Sequence, residues 1–410
     1  MTAPSKKISS RPLPKSSQSQ STLPEPSAES LDYSQQLSDL VQQKIADAGG
    51  WLSFADFMHM ALYTPALGYY SGGLTKFGSD ENGGGDFVTA PLISPLFAQS
   101  IARQVGQVLS AISTEASVLE LGAGTGQLAA DLLLTLDELN QQPKQYCILE
   151  VSDHLRQVQR ETLQKKLPPA LFEKITWLDA LPNDFVGMMI GNEVLDAIPV
   201  HLLVKKADGL HERGVVFDGG FQWQDKALDN ADLAGELDIE QLPNDYLTEV
   251  CPAANGLMKS LGEALKMGAV LMIDYGFAAS EYYHPQRNEG TLMCHYQHYA
   301  HSDPLVYIGL QDVTAHVNFS AIAQAGLDGG LEFYGYCSQA QFLLNCGVLD
   351  LLAKESPDDI ARYTPIAAAV QKLLSPSEMG DLFKVISFTK DLNDDLALLG
   401  FVEGDKSHTL

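Results

Sequence analysis

The sequence predicts an α/β protein built on a doubly wound, mostly parallel sheet. Short apolar runs alternate with amphipathic helical stretches from about residue 118 to residue 274, the pattern of strands joined by crossover helices. The first run, "VLEL", passes straight into the glycine turn "GAGTG". That turn opens on a helical pattern, and sheets of this kind bind their ligands at the carboxyl ends of the strands.

The elements follow in order. Residues 1–30 are rich in Ser, Pro, Gln and Lys, contain no apolar stretch and are acid-poor until Glu25. They fit a disordered tail better than a secretory signal or a transit peptide, whose amphipathic helix the prolines would spoil. Residues 31–110 form a helical and lid segment. Its first helical pattern breaks at Gly49-Gly50, and Ser53 then caps a second helix with Asp56 in its first turn. A long glycine- and aromatic-rich loop follows, and a helix from about Leu96 to Ser110 leads into the glycine motif. The first half of the core covers residues 111–204. It contains strands at Val118–Leu121, Tyr146–Glu150 and Ile175–Leu178 and a run ending near Asn192, with helices at about Gln127–Leu136 and Asp153–Lys166. Residues 205–250 form an inserted β element with Asp-Gly and Gly-Gly turns. The second half, 251–395, has a helix at about Gly256–Lys266 and a strand at Ala269–Asp274. Residues 396–410 read as a tail.

Charge narrows the function. The formal net charge is −26 over 410 residues, which disfavours nucleic acid and anionic lipid as partners and leaves a basic protein or peptide open. The apolar runs are too short to span a membrane. The five cysteines are scattered, with no C-x-x-C pair, so a reducing compartment is expected and a structural zinc site is not. "CHYQHYAH" offers His and Cys at ligand-like spacing, but the intervening aromatics favour a packed loop, and no metal is expected.

Gly122, Gly124 and Gly126 give G-x-G-x-G rather than the dinucleotide pattern G-x-G-x-x-G. Their lack of Cβ permits a tight turn and close approach of a ligand. Glu120, just before the turn, is a poor neighbour for a pyrophosphate and suits a ligand with positive charge. Glu150 lies 24 positions after Gly126, where an acid can grip ribose hydroxyls. S-adenosylmethionine, with a sulfonium, an ammonium and no phosphate, fits both acids. An ordinary βα turn with a solvated glutamate is the plainer alternative.

The chain at this point resembles the MidA-like family of class I S-adenosylmethionine-dependent methyltransferases, which includes the mitochondrial arginine methyltransferase of respiratory complex I assembly. "GYYSGG", "GDFVTAP", "LELGAGTGQLAADLL", "YCILEVS", "GNEVLDAIPVH", "EVCPAA", "VLMIDYG" and "DVTAHVNF" carry the resemblance over about residues 40–390. "GDFVTAP", "NEVLDAIPV" and "DVTAHVNF" are its most specific parts. Two departures stand out. Val151 occupies a position where the family usually has proline, and "SDENGG" lengthens the lid loop. The resemblance implies a Rossmann-like class I methyltransferase sheet that ends in an antiparallel pair, for which "LEFYGY" and "LFKVISFT" are the candidates. It also implies a protein side chain as acceptor, arginine above all, with a respiratory-complex subunit as the candidate partner. The compartment would be bacterial cytoplasm, or the mitochondrial matrix in a eukaryote. A homodimer, a non-catalytic assembly factor and a small-molecule methyltransferase stay open.

Paired carboxylates can hold a guanidinium bidentately and draw its charge away from the attacking nitrogen. Glu193 stands at the right end of the sheet, with Asp196 three residues on. On a helical turn the two would share a face, although Asn192 capping such a helix explains the same pattern. Asp312 and His316, four apart, are a second candidate pair, of proton acceptor and orienting carboxylate. Asp86 and Thr89 are expected to fold over the cofactor.

Overall fold

The computed structural model describes residues 23–72, 89–112, 115–235, 242–393 and 395–410. Asp86, the "SDENGG" stretch and most of the expected N-terminal tail lie outside these residues.

The central sheet has eight strands. Seven form a continuous path: β1 (Ser117–Leu121), β2 (Tyr146–Leu149), β3 (Ile175–Leu178), β4 (Phe185–Asn192), β5 (Leu265–Phe277), β6 (Glu332–Ser338) and β7 (Phe383–Lys390). Their spatial order is β6-β7-β5-β4-β1-β2-β3. Strands β1 to β5 pair parallel, and β7 runs antiparallel to both β5 and β6, so the expected terminal pair is formed. The order reverses between β1 and β4, which places the ligand crevice beyond their carboxyl ends.

Alternation along the strands makes two cores. Val118, Met188, Ile190, Leu271 and Ile273 enter one apolar cluster, and Leu119, Leu121, Met189, Val270 and Met272 enter the other. A period-2 side-chain direction in strands buried on both faces requires that split. Helices α3 (Pro95–Ile112), α4 (Gln127–Glu138) and α5 (Asp153–Lys166) contribute to the first cluster, and α6 (Pro252–Ala264) and α7 (Phe319–Asp328) to the second.

A third cluster joins α1 (Ala28–Asp47) and α2 (Phe54–Tyr63) to the inserted β element. Helix α1 starts inside the stretch expected to be a tail, capped by the Ser27 hydroxyl. Ser53 caps α2 by accepting the Asp56 N–H at 3.1 Å, as its sequence predicts. The insert begins at His201, four residues before the expected boundary, and its antiparallel strands are His201–Lys206, Gly209–Phe217, Phe221–Ala227 and Tyr246–Val250. Leu52–Ser53 adds a fifth strand, paired with Val215 and Gly214. The expected C-terminal tail is not solvated throughout. Leu398 and Phe401 are buried, and Gly400 N–H donates to the Gln104 carbonyl oxygen Oε1 at 2.8 Å.

Two local expectations are corrected. No helix follows β4: the N–H groups of Glu193 to Asp196 are taken by Ile273 and Asp274 on the neighbouring strand, and Glu193 adopts φ +54°. Asp312 and His316 are not one helical turn apart either. Asp312–Thr314 and Val317–Asn318 are extended, each paired to another strand.

Candidate active site

A cavity of about 580 Å³ opens beyond β1 and β4, large enough for a nucleoside ligand with an acceptor side chain beside it. Gly122, Gly124, Thr89, Glu120, Glu150, Glu193, Asp196 and Asp312 all line it, and Gly126 lies in the same turn. His316 does not line it. Its ring stacks on Phe277 at 5.2 Å and meets Tyr275 edge-on at 4.9 Å, and burial pushes its pKa down to about 4.

The cavity has two ends. At the first, Gly122, Gly124 and Gly126 have φ of +57°, +51° and +80°, left-handed values that glycine adopts without strain. A Cβ on Gly124 would meet nothing within 4 Å, so the main chain there faces open space. Glu150 Oε1 accepts the Ser152 N–H at 3.0 Å, and Oε2 accepts the Gln159 amide at 2.9 Å. The same amide donates to Gly124 O at 3.1 Å, and Trp177 donates to its oxygen at 3.0 Å. Gln159, on α5, thereby ties the glycine turn to the acid at the end of β2. Nothing in its sequence context marks it. Burial raises the Glu150 pKa, and the Ser152 and Gln159 hydrogen bonds oppose the rise. Glu120 is buried and accepts from the Tyr146 hydroxyl at 2.7 Å. Burial lifts its pKa to about 7 against that bond, and Glu150 adds to the rise.

The second end is built from distant segments. Glu193 Oε1 accepts from the Asn192 amide at 2.9 Å and from Ala90 N–H at 3.4 Å. Burial, then the nearby Asp196 carboxylate, raise its pKa to about 8. Asp196 is buried and raised to about 6, with a Tyr275 hydrogen bond opposing, and its Oδ1 has no hydrogen-bond partner among the described residues. Helix α2 and the turn after it supply an aromatic wall. Tyr63 and Tyr70 stack at 5.6 Å, Tyr63 donates to Ala197 O at 2.9 Å, and Tyr70 donates to Asp312 Oδ1 at 2.8 Å. Asp274 is fully buried beneath this end. Its Oδ2 accepts the N–H groups of Val194, Leu195 and Asp196 at 3.1, 2.9 and 3.2 Å, and its Oδ1 accepts that of Tyr275 at 2.9 Å. Burial, then the Asp196 and Glu193 charges, push its pKa well up. Its sequence signal is an acid closing the apolar run "AVLMID" at the ligand end of a parallel strand.

Five carboxylates and no Lys or Arg stand among the described residues that line the cavity. That surface would repel a phosphate and attract a cation. The residues fit S-adenosylmethionine. Gly124 leaves room for its approach, and the Glu150 oxygens keep lone pairs for ribose hydroxyls. Near Cys294 and His295, as elsewhere among the described residues, no three His, Cys, Asp or Glu side chains converge to hold a metal.

Strand order, glycine turn and the position of the cavity together define a class I methyltransferase core. The family model described as "Putative S-adenosyl-L-methionine-dependent methyltransferase" matches residues 100–337, more than half of the chain. The chain belongs to that family, and S-adenosylmethionine is the cofactor. The crystal structure of a Burkholderia thailandensis protein bound to S-adenosyl-homocysteine is 49% identical to this chain. It covers 95% of this chain and 100% of its own, with a TM-score of 0.91. Protein arginine methyltransferase NDUFAF7, mitochondrial, from Mus musculus is 28% identical over 82% of this chain and 80% of its own. The Caenorhabditis elegans homologue is 27% identical over 73% of this chain and 74% of its own. No helix among the described residues is long and apolar enough to cross a membrane.

Proposed function

We propose that this methyltransferase acts on an arginine side chain of a protein substrate. The observation that carries the reading is the buried pair Glu193 and Asp196, which faces the cavity with no Lys or Arg among the described lining residues to balance it. Isolated carboxylates are costly to bury, and an incoming cation removes that cost. A guanidinium brings a planar fork of N–H donors that matches paired carboxylates. The arginine methyltransferase names of the mouse and worm relatives support the same acceptor.

The bound sulfonium supplies an activated methyl group. The protein must align the acceptor nitrogen with it and make that nitrogen nucleophilic. Glu193 would hold two guanidinium N–H groups, draw positive charge away from the attacking nitrogen and pre-organise the site electrostatically. Asp196, steadied by Tyr275, would hold the far side of the fork. Tyr63 and Tyr70 would flank the side-chain stem and exclude water. Glu120 and Glu150 would grip the cofactor, with Thr89 at the cavity edge. Asp312, fixed by Tyr70, would add negative potential near Glu193. The compartment that goes with this reading is bacterial cytoplasm, or the mitochondrial matrix in a eukaryote.

The test is transfer of radiolabelled methyl groups into a whole-cell protein extract, followed by acid hydrolysis and amino-acid analysis. Label in methylated arginine is the expected result. Label confined to other residues or to small molecules overturns the arginine assignment. S-adenosylhomocysteine binding without any transfer would indicate an assembly factor that keeps its cofactor.

A further inference from the structure

The backbone between β4 and the acceptor side chains is held in an unusual way. Four consecutive N–H groups, from Glu193 to Asp196, bond to two consecutive residues of β5. Glu193 N–H donates to Ile273 O at 2.9 Å, and the next three converge on the single oxygen Oδ2 of Asp274. A concavity of successive N–H groups ordinarily binds an external anion. Here the chain fills it with its own carboxylate. The next residue, Tyr275, hydrogen-bonds the Asp196 side chain, and Ala315 N–H donates to Asp196 O at 3.1 Å. The left-handed turn at Glu193 is therefore fixed on both sides, as a non-glycine residue at such φ requires.

We propose, building on the arginine reading, that Asp274 is the positioning residue of the acceptor site: by gathering these N–H groups it turns the Glu193 and Asp196 carboxylates into the cavity. Burial and the Asp196 and Glu193 charges favour the protonated form of Asp274, so its part is to shape the loop through its two oxygens rather than to add charge to it. Asp274 touches neither cofactor nor acceptor in this scheme and acts through Glu193 and Asp196. The groups facing Glu193 and Asp196 are Asp274 and Tyr275 from β5, Asn192 from β4, Asp312 from the strand Asp312–Thr314, and Tyr63 from α2.

The test uses the full chain with Asp274→Asn and Asp274→Ser. Each keeps an oxygen acceptor and removes the carboxyl group. Three readouts are taken: amide hydrogen exchange of residues 193–196, S-adenosylhomocysteine affinity, and the kcat and cofactor KM of methyl transfer. The expected result is exchange faster by at least about tenfold at residues 194–196, with cofactor affinity within about threefold. Transfer should fall in kcat rather than in cofactor KM. Unchanged exchange overturns the anchor. Faster exchange with an unchanged kcat makes Asp274 a structural residue only and overturns the positioning role, as does failure of both variants to fold. If the wild type labels no arginine while exchange responds as expected, the arginine reading fails and the anchor of the loop stands.

Discussion

The two ends of the cavity solve opposite problems. At the cofactor end the two acids are hydrogen-bonded within the protein. Glu150 accepts two hydrogen bonds, Gln159 makes three, and Glu120 is tied to Tyr146. At the acceptor end, burial holds Glu193 and Asp196 well above the ordinary carboxylate range, and Asp196 Oδ1 has no partner among the described residues. The first end holds its acids through internal hydrogen bonds, although burial still lifts Glu120 to about 7. The second carries a burial cost that the proposed cationic acceptor would remove. Binding energy at the first end should therefore be read mainly in affinity, and at the second mainly in rate.

The sharpest way to break this contrast is at Gly124. Gly124→Val puts a branched side chain into the open space the cofactor needs, at φ +51°. S-adenosylhomocysteine affinity should fall by more than about 100-fold by calorimetry, and transfer should fall with it. Wild-type affinity would remove the turn from the site.

Glu193→Gln attacks the other end. It keeps size and most hydrogen bonding but not charge. Transfer should fall on the order of 100-fold or more, with cofactor affinity near normal. A wild-type rate would show that Glu193 does not polarise the acceptor. Glu150→Ala should be milder, weakening S-adenosylhomocysteine by about 1.5–3 kcal/mol. Part of that loss will come from freeing Ser152 N–H and the Gln159 amide, so Gln159→Leu should reproduce a fraction of it. An unaltered dissociation constant for Glu150→Ala would contradict the cofactor role.

The smallest effect concerns stability against pH. Glu193 ionises near 4.5 in an unstructured chain and near 8 in the folded one. Between those values the unfolded state binds fewer protons than the folded state, so this group's contribution to stability is full at low pH and declines as pH rises toward 8. In thermal denaturation from pH 5 to 8, Glu193→Gln should show a flatter dependence than the wild type. Parallel curves would mean that Glu193 carries no such strain.

The same division decides what could be read from the sequence. Gly122, Gly124, Gly126 and Glu150 sit in one βαβ unit, where strand, turn and helix periodicities fix their relative positions. The parallel strands and the Ser53 cap follow from equally local patterns, whereas the terminal antiparallel pair is implied by the family resemblance. Gln159 escaped notice because a glutamine on an amphipathic helix is unremarkable until its partner strand is placed. At the acceptor end, the three-residue spacing of Glu193 and Asp196 suggested helical neighbours, but the N–H groups of 193–196 found partners on β5 instead. Asp312 and His316 share a stretch of sequence, yet the extended chain sends Asp312 to the cavity and His316 between Tyr275 and Phe277. Tyr63 and Tyr70 come from segments whose local pattern reveals only a helix and a turn.

Leu52–Ser53 pairs with Gly214 and Val215, and Trp51 donates to Gln224 O at 3.0 Å across 173 residues. The helix that follows carries Tyr63 toward the cavity. During synthesis this N-terminal hairpin of helices leaves the ribosome long before the strands that cover Phe54 and Phe57 exist. Its apolar face must wait, exposed or chaperoned, until at least residue 217 has emerged, and the aromatic wall cannot be completed before then. The acceptor chamber is thus a late product of folding, assembled after much of the cofactor-binding sheet has been made.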